Sequence, residues 1–224
     1  MEIHEERIRI TYSKLAPMRF TSILDVQTIW ERTFRRSGVI LSYSKGFHPQ
    51  AKIQQASPLP LGFCGEQEII DVWIDAANKQ SLTKETINPF LPNGMQIQQV
   101  ETVDLHAPTL QQNVVFSDYS ACFLQPVSEK ELVSLVEKIQ RSKNIQYTRH
   151  NGKQYDLKPL IRSAHVHKDT VQGAMLLLSL STSPSATGRP DHLLHYFHYD
   201  PSLILITRKM IHFLHEQICN SSVH

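Results

Sequence analysis

The sequence predicts an α+β protein with antiparallel sheets, on three observations. Several short segments alternate polar and apolar residues with period two, which is typical of half-buried strands. Between them lie segments whose apolar residues recur at spacings of three and four, as on amphipathic helices. The order strand, helix, strand, strand, helix, strand occurs once in each half of the 224 residues. This order is that of the split βαβ or ferredoxin-like unit, so we expect two tandem ferredoxin-like domains, at residues 1–104 and 113–216.

The first domain is predicted to contain four strands, two helices and one long loop. The strands are expected at residues 7–12, 40–44, 68–75 and 95–103. A helix is expected at residues 21–37, because its apolar positions follow the helical spacing and Gly38 follows as a C-terminal stop. A shorter helix at residues 83–91 ends before Pro92. Residues 42–62 form a basic loop that is rich in Pro and Gly and therefore stiff.

The second domain is predicted to repeat this order with one additional hairpin. Its strands are expected at residues 114–124, 145–149, 153–160, 174–181 and 202–211. Ser128 and Glu131 match a capping box at the start of a helix, and Pro190 suits the first turn of another at residues 191–197. Asn151 and Gly152 between two strand patterns are typical of a tight hairpin turn.

Composition excludes several classes of protein. With 41% hydrophobic residues the chain can build cores, so a disordered or fibrous protein is excluded. No apolar run reaches the roughly 18 residues that span a bilayer, and the N-terminal residues are charged, so we expect a cytoplasmic protein. Cys64, Cys122 and Cys219 are odd in number and far apart, which argues against a disulfide framework or a metal knuckle.

The net charge of +2 divides unevenly along the chain. Residues 1–62 contain nine Lys or Arg against five acids, residues 63–113 contain two against seven, and the rest contain twelve against nine. A basic N-terminal stretch is therefore followed by an acidic one, and such asymmetry bears on binding partners.

The basic stretch contains the candidate functional residues. Cations neutralise phosphates while aromatic rings stack on unpaired bases, and this combination favours a nucleic-acid-binding loop. The predicted nucleic-acid-binding residues are Lys14, Arg19, Arg35, Arg36, Tyr43, Lys45, Phe47, His48 and Lys52. The alternative is that Phe47 belongs to the core and that the cations form a solvated rim.

Catalytic and metal motifs are weak. The sequence contains neither a GxGxxG nor a Walker A loop, and its twelve histidines complete no familiar ligand set. We therefore expect no metal site. If the protein is an enzyme, Asp25 with His48 or Tyr43 is the candidate acid–base group.

Five separated blocks resemble a known family. They are the strand at residues 7–12; Arg19-Phe20-x-Ser22-x-Leu24-Asp25; Arg35-Arg36-Ser37-Gly38; Tyr43-Ser44-Lys45-Gly46-Phe47-His48-Pro49; and Pro58-Leu59-Pro60-Leu61-Gly62. In this order they resemble the bacterial radical-SAM-linked family, a domain of unknown function encoded beside or fused to a radical S-adenosylmethionine protein. The resemblance is close over residues 5–75 and loose beyond. Ile23, His48 and Gln50-Ala51 depart from the family's usual His, Asn and His-Pro.

The resemblance implies a radical-SAM protein as partner. An iron–sulfur cluster of that kind needs a closely spaced trio of cysteines, which this sequence lacks, so the cluster and S-adenosylmethionine are expected in the partner and no cofactor in this chain. Combined with the basic aromatic loop, the expectation is a non-catalytic accessory that binds RNA, with transfer RNA as one candidate, and presents it for modification. The alternatives are an interaction scaffold that docks its partner through the acidic strand at residues 66–75, or an enzyme using Asp25.

Overall fold

The fold is mixed α+β and consists of two compact units. The structure is a computed structural model that describes residues 5–149, 151–169, 173–182 and 186–214. The chain divides after Asn113, and the second unit starts at Val114. All strand pairs described in the two units are antiparallel. No helix within the described residues is long and apolar enough to cross a membrane.

The first unit is a sheet covered on one face by helices. Its elements are β1 (Glu5–Lys14), α1 (Ile23–Ser37), β2 (Ile53–Gln55), β3 (Phe63–Asp75), α2 (Lys84–Ile87), β4 (Met95–Val103) and α3 (Leu110–Asn113). The sheet order is β4-β1-β3, with β2 paired to β3. Short 3₁₀ helices lie at Ala16–Met18, Ala76–Ser81 and Asn88–Phe90. The predicted helix at residues 83–91 is shorter than expected, because Pro89 cannot continue the α-helical hydrogen bonds.

Helix α1 is confirmed with its predicted C-terminal end, while it begins at Ile23 rather than at residue 21. Ser22 and Asp25 form a reciprocal capping box at its start, and Gly38 ends it in the left-handed conformation with φ of +80°. Trp30, which is fully buried, packs edge-on against Tyr12 of β1 and stacks on Phe34. Burying an aromatic side chain of this size contributes about 2–3 kcal/mol, so this face fixes the helix on the sheet.

The edge strand of this sheet is interrupted, which corrects the predicted strand at residues 40–44. Leu41 makes a single bridge to Ile74, and the chain then leaves the sheet. It returns at β2, where Ile53 pairs with Val72. Residues 43–51 therefore project from the edge strand as a loop. The sequence showed a strand pattern followed by a Gly- and Pro-rich segment, and it could not show that the same strand resumes after that segment.

A charged cluster is buried between β1 and β3. Asp71 is completely buried and accepts hydrogen bonds from the guanidinium groups of Arg7 and Arg9. Arg7, which is only 1% exposed, also donates to the backbone carbonyls of Ala107 and Pro108. The cluster thus ties the segment before α3 to the centre of the sheet.

The second unit has the same order of principal elements. It contains β5 (Val114–Phe123), α4 (Glu129–Arg141), β6 (Gln146–Thr148), β7 (Gln154–Asp156), β8 (Ile161–Asp169), β9 (Gly173–Ser181), α5 (Pro190–Tyr196) and β10 (Ile204–Phe213). Its sheet order is β10-β5-β9-β8, and β6 and β7 form the predicted extra hairpin as a separate two-stranded sheet. Strand β8 was not predicted. As an edge strand it buries Ala164 but exposes His165 and His167, so its apolar alternation is weak.

Candidate functional site

The projecting loop at residues 43–51, which we name the edge loop, has a fixed base. Tyr43 and Ala51 form a β-bridge across it. The backbone N–H of Ser44 donates to the carbonyl of Gln50 at 2.8 Å, and the N–H of Gln50 donates to the Ser44 hydroxyl at 2.9 Å. Gly46 has a φ of +135°, a conformation that L side chains rarely adopt. The loop is therefore closed by specific hydrogen bonds and requires its glycine.

The edge loop presents its aromatic and basic side chains to solvent. Phe47 is fully exposed, and Lys45 and His48 beside it are exposed as well. The alternative that Phe47 is a core residue is therefore wrong. An aromatic side chain held at the tip of an ordered loop, next to cations, is available for stacking on a ligand.

A groove runs beside the base of this loop along the C-terminal half of α1. It has a volume of about 470 Å³. The guanidinium-bearing residues Arg32 and Arg35 line it together with Tyr43, which is 55% exposed. We name it the arginine groove. Its volume falls in the range of small-molecule sites, and its lining combines two cations with one aromatic ring.

Arg32 was not among the predicted site residues. Thr28, Glu31, Arg32 and Arg35 all line the groove and follow the spacing i, i+3, i+4 and i+7, which places them on one face of α1. This spacing was visible in the sequence. The sequence could not show that the face lies beside Tyr43, because that contact depends on the path of the chain after Gly38.

Four predicted site residues have other roles in the fold. Lys14 is 1% exposed, and its ammonium group lies near the carbonyls of Arg19 and Phe63. Arg19 donates to the carbonyl of Gly62 at 2.7 Å.

Lys52 pairs with Glu5 at 2.7 Å, and Arg36 donates to the carbonyl of Phe90. The buried Lys14 is not accessible to a phosphate, and the other three side chains are held by their partners. Five predicted residues remain displayed around the edge loop and the groove, namely Arg35, Tyr43, Lys45, Phe47 and His48.

The structure gives Asp25 a structural role. Its carboxylate accepts a hydrogen bond from the hydroxyl of Ser22 at 2.7 Å, as part of the capping box. Among the described residues no hydrogen bond joins Asp25 to His48 or Tyr43, the pairing that an acid–base site would need.

The acidic strand proposed for docking is largely internal. Glu68 is 3% exposed and Asp71 is completely buried, so of the four acidic residues of β3 only Glu66 and Asp75 retain partial exposure. This strand offers a partner much less negative charge than its sequence suggests.

Among the described residues we find neither an activated cysteine nucleophile nor a metal site. Burial raises the pKa of the Cys64 thiol, although Arg19 and Lys14 oppose the shift, so the thiol is protonated at neutral pH. Cys122 is half-buried, and Cys219 lies outside the described residues. Within the part of the chain that the structure describes, no three His, Cys, Asp or Glu side chains cluster closely enough to hold a metal ion.

The chain matches one protein family over most of its length. The model of a family described as uncharacterized proteins conserved in bacteria (DUF2344) covers residues 7–190. The chain belongs to DUF2344. The matched region includes the edge loop, the arginine groove and all elements as far as the start of α5. A comparison of this DUF2344 protein with curated proteins finds no match.

Proposed function

We propose that this DUF2344 protein is a non-catalytic accessory that binds RNA and presents it to a radical-SAM modification enzyme. Transfer RNA is the first candidate substrate. Within this proposal the RNA lies on the edge loop and in the arginine groove, the protein acts in the cytoplasm, and the iron–sulfur cluster and S-adenosylmethionine belong to the partner. The radical-SAM link rests on the five sequence blocks that resemble the radical-SAM-linked family.

The arginine groove is the observation that carries the RNA assignment. Arg32, Arg35 and Tyr43 line one cavity of about 470 Å³, which is large enough for a nucleotide, and the two arginines outnumber the one acid of the lining, Glu31. Arg32 and Arg35 suit a phosphate, and Tyr43 offers a ring face to a base. Fully exposed Phe47 supplies a second ring for the neighbouring unpaired nucleotide.

We also propose that the two units are tandem ferredoxin-like domains. The strand orders β4-β1-β3-β2 and β10-β5-β9-β8 support this, because each places the first and third strands of its unit in the centre and the second and fourth at the edges. The helices of each unit follow its first and third strands in the chain, as in that fold.

RNA binding is tested by fluorescence anisotropy with a labelled single-stranded RNA and the full chain. We expect Tyr43→Ala and Phe47→Ala each to weaken binding by roughly 5- to 150-fold, since a stacked base contributes about 1–3 kcal/mol. The double variant Arg32→Ala/Arg35→Ala should make the salt dependence shallower by about 1.4 in the log–log slope, for two lost phosphate contacts. The matched control is Lys84→Ala/Lys130→Ala, which removes two exposed cations elsewhere.

The partner is tested by recovering the tagged protein from its own host and identifying the bound protein and RNA. A radical-SAM protein together with RNA supports the proposal. A radical-SAM protein without RNA, combined with no affinity for RNA in the anisotropy measurement, would instead favour the scaffold. Wild-type affinity in the groove and loop variants would contradict the proposed site.

A further inference from the structure

A second segment of the chain is as basic as the one around the edge loop. Residues 138–158 contain six Lys or Arg and one Asp, a net charge of +5. Residues 32–52, which include Arg32, Arg35 and the edge loop, contain five Lys or Arg and no acid, which gives the same net charge, although Glu31 just before them also lines the arginine groove. The second segment runs from the end of α4 through the β6–β7 hairpin. It lies in the other unit and is not part of the RNA site proposed above, so an inference that it binds RNA rests on the proposed function.

The hairpin in this segment is firmly anchored at its base. Ile145 and Leu157, which flank its strands, are both fully buried. The backbone N–H of Leu157 donates to the carbonyl of Ile145 at 2.9 Å, and the Asp156 carboxylate accepts the N–H of Ile145 at 2.7 Å. At the other end Gly152 has a φ of +79°, as a tight turn requires. The hairpin therefore has a fixed base and a fixed turn.

Aromatic contacts hold one side of the hairpin against α5. The ring of Tyr147 stacks on His192 with centroids 4.2 Å apart. The hydroxyl of Tyr155 is hydrogen-bonded to Nδ1 of His192 at 2.6 Å. Burial raises the pKa of Tyr155, so the phenol stays neutral and adds no negative charge to the hairpin.

Two of the six cations contact partners within the second unit. Lys158 donates to the carbonyls of Ile139 and Gln140 at the end of α4, and Arg141 pairs with Glu137. The other four, which we name the hairpin cations, are exposed. They are Lys138, Lys143, Arg149 and Lys153. Within the described part of the chain, no carboxylate lies within ion-pair distance of any of the four.

Arg149 is pre-positioned. Its guanidinium lies over the ring of Tyr155, 4.6 Å from the ring centre, while the residue stays exposed. The contact with Tyr155 limits the conformations of the side chain, and a guanidinium has five N–H donors, so those that do not contact Tyr155 are available for a phosphate.

We propose that the hairpin cations bind the phosphodiester backbone of RNA, at a site separate from the arginine groove. The charge alone would also suit an acidic protein. However, a protein interface needs an apolar centre, and the described residues between 138 and 158 include no exposed large apolar side chain. A phosphodiester backbone requires only charge and hydrogen-bond donors, which is what this surface offers.

The test measures binding of a labelled 20-nucleotide single-stranded RNA to the full chain at several salt concentrations. The variant is Lys143→Ala/Arg149→Ala/Lys153→Ala. The matched control, Lys84→Ala/Lys130→Ala/Lys168→Ala, removes three exposed cations from other surfaces. We expect the hairpin variant to have a log–log salt slope shallower by about 2 and an affinity about 100-fold lower at 0.1 M salt, because each phosphate contact contributes about 0.7 to the slope.

Two further variants separate charge from folding. Lys153→Glu changes only an exposed turn residue and should weaken binding more than Lys84→Glu. Lys143→Arg/Lys153→Arg keeps the charge and should retain the wild-type slope. Circular dichroism of each variant shows whether the unit remains folded.

The outcomes distinguish this inference from the proposed function. If the hairpin variant binds like its control while Arg32→Ala/Arg35→Ala loses affinity, the hairpin site is overturned and the proposed function stands. If only the hairpin variant loses affinity, the hairpin site stands and the groove assignment fails. A protein that binds no RNA at low salt overturns both. Recovery of an acidic protein that depends on the hairpin cations, without RNA binding, overturns the choice of RNA.

Discussion

Replacing Asp71 with Asn should strongly destabilise the first unit. The carboxylate is fully buried and neutralises Arg7, itself 1% exposed, through contacts of 2.6 and 2.8 Å, and Arg9, 23% exposed, through contacts of 2.9 and 3.1 Å. Asn has nearly the same volume, so the change removes the charge without opening a cavity. It leaves the Arg7 guanidinium buried without its counter-charge, and it turns an amide N–H₂ towards guanidinium donors.

Breaking a buried ion pair on one side costs about 3–5 kcal/mol, and we expect a loss of this size. The assay is urea unfolding followed by tryptophan fluorescence. Both tryptophans of the sequence, Trp30 and Trp73, lie in the first unit, so the signal reports that unit even if the two units unfold separately. Trp73 is also a local probe, since the Arg7 guanidinium lies 5.2 Å from the centre of its ring.

The control for Asp71→Asn is Glu85→Gln, which removes a carboxylate from an exposed surface pair with Lys84 and should change the unfolding free energy by less than about 1 kcal/mol. A double variant, Arg7→Met/Asp71→Leu, should be more stable than Asp71→Asn, because it removes the unpaired charge together with its partner. If Asp71→Asn unfolds at the wild-type urea concentration, the buried carboxylate does not stabilise the sheet as we infer.

Three further substitutions test local features. Gly38→Ala should lower the unfolding free energy by about 1 kcal/mol in the tryptophan-detected transition, because φ of +80° strains an L residue. Gly38→Asn should lower it less. If Gly38→Ala is as stable as the wild type, the left-handed cap is not needed. Ser22→Ala should lower stability by about 1 kcal/mol and leave RNA affinity unchanged, since Ser22 only caps α1 with Asp25; a loss of affinity would reopen a direct role for this turn. Burial raises the pKa of Tyr155 in the folded chain, so its contribution to stability is lost as the pH rises above about 10, the usual tyrosine value. Tyr155→Phe should therefore lose less stability than wild type between about pH 9 and pH 11, measured by far-ultraviolet circular dichroism during urea unfolding.

Most of the regular elements could be predicted because their causes are local. The ends of α1 follow from a capping residue and a glycine, and the β6–β7 hairpin follows from Asn151-Gly152. The failures have tertiary causes. Strand β8 is paired on one side only and shows little alternation, and the edge strand resumes at Ile53 only because β3 is there to pair with it.

The site could be predicted only in part, because sequence shows which residues are charged and not how each charge is used. Lys14 and Lys45 are equivalent in a count of cations, yet Lys14 is buried against backbone carbonyls and Lys45 is exposed on the edge loop. Arg32 and Arg36 are both exposed but differ in their contacts. Arg32 lines the groove, whereas Arg36 donates to the carbonyl of Phe90.

The same reasoning changes the meaning of the near-neutral net charge. Several acids have specific partners within the fold: Asp71 is buried with two arginines, the exposed Asp25 caps α1, and the half-buried Asp156 accepts two backbone N–H groups at the base of the hairpin. In each unit the chain between the first helix and the edge strand instead projects outward. It exposes Lys45 in the first unit and Lys143, Arg149 and Lys153 in the second, and none of these four has an acidic partner among the residues that the structure describes. A whole-chain charge of +2 therefore understates the positive potential of these two projections, and binding of a polyanion should depend on them rather than on the net charge.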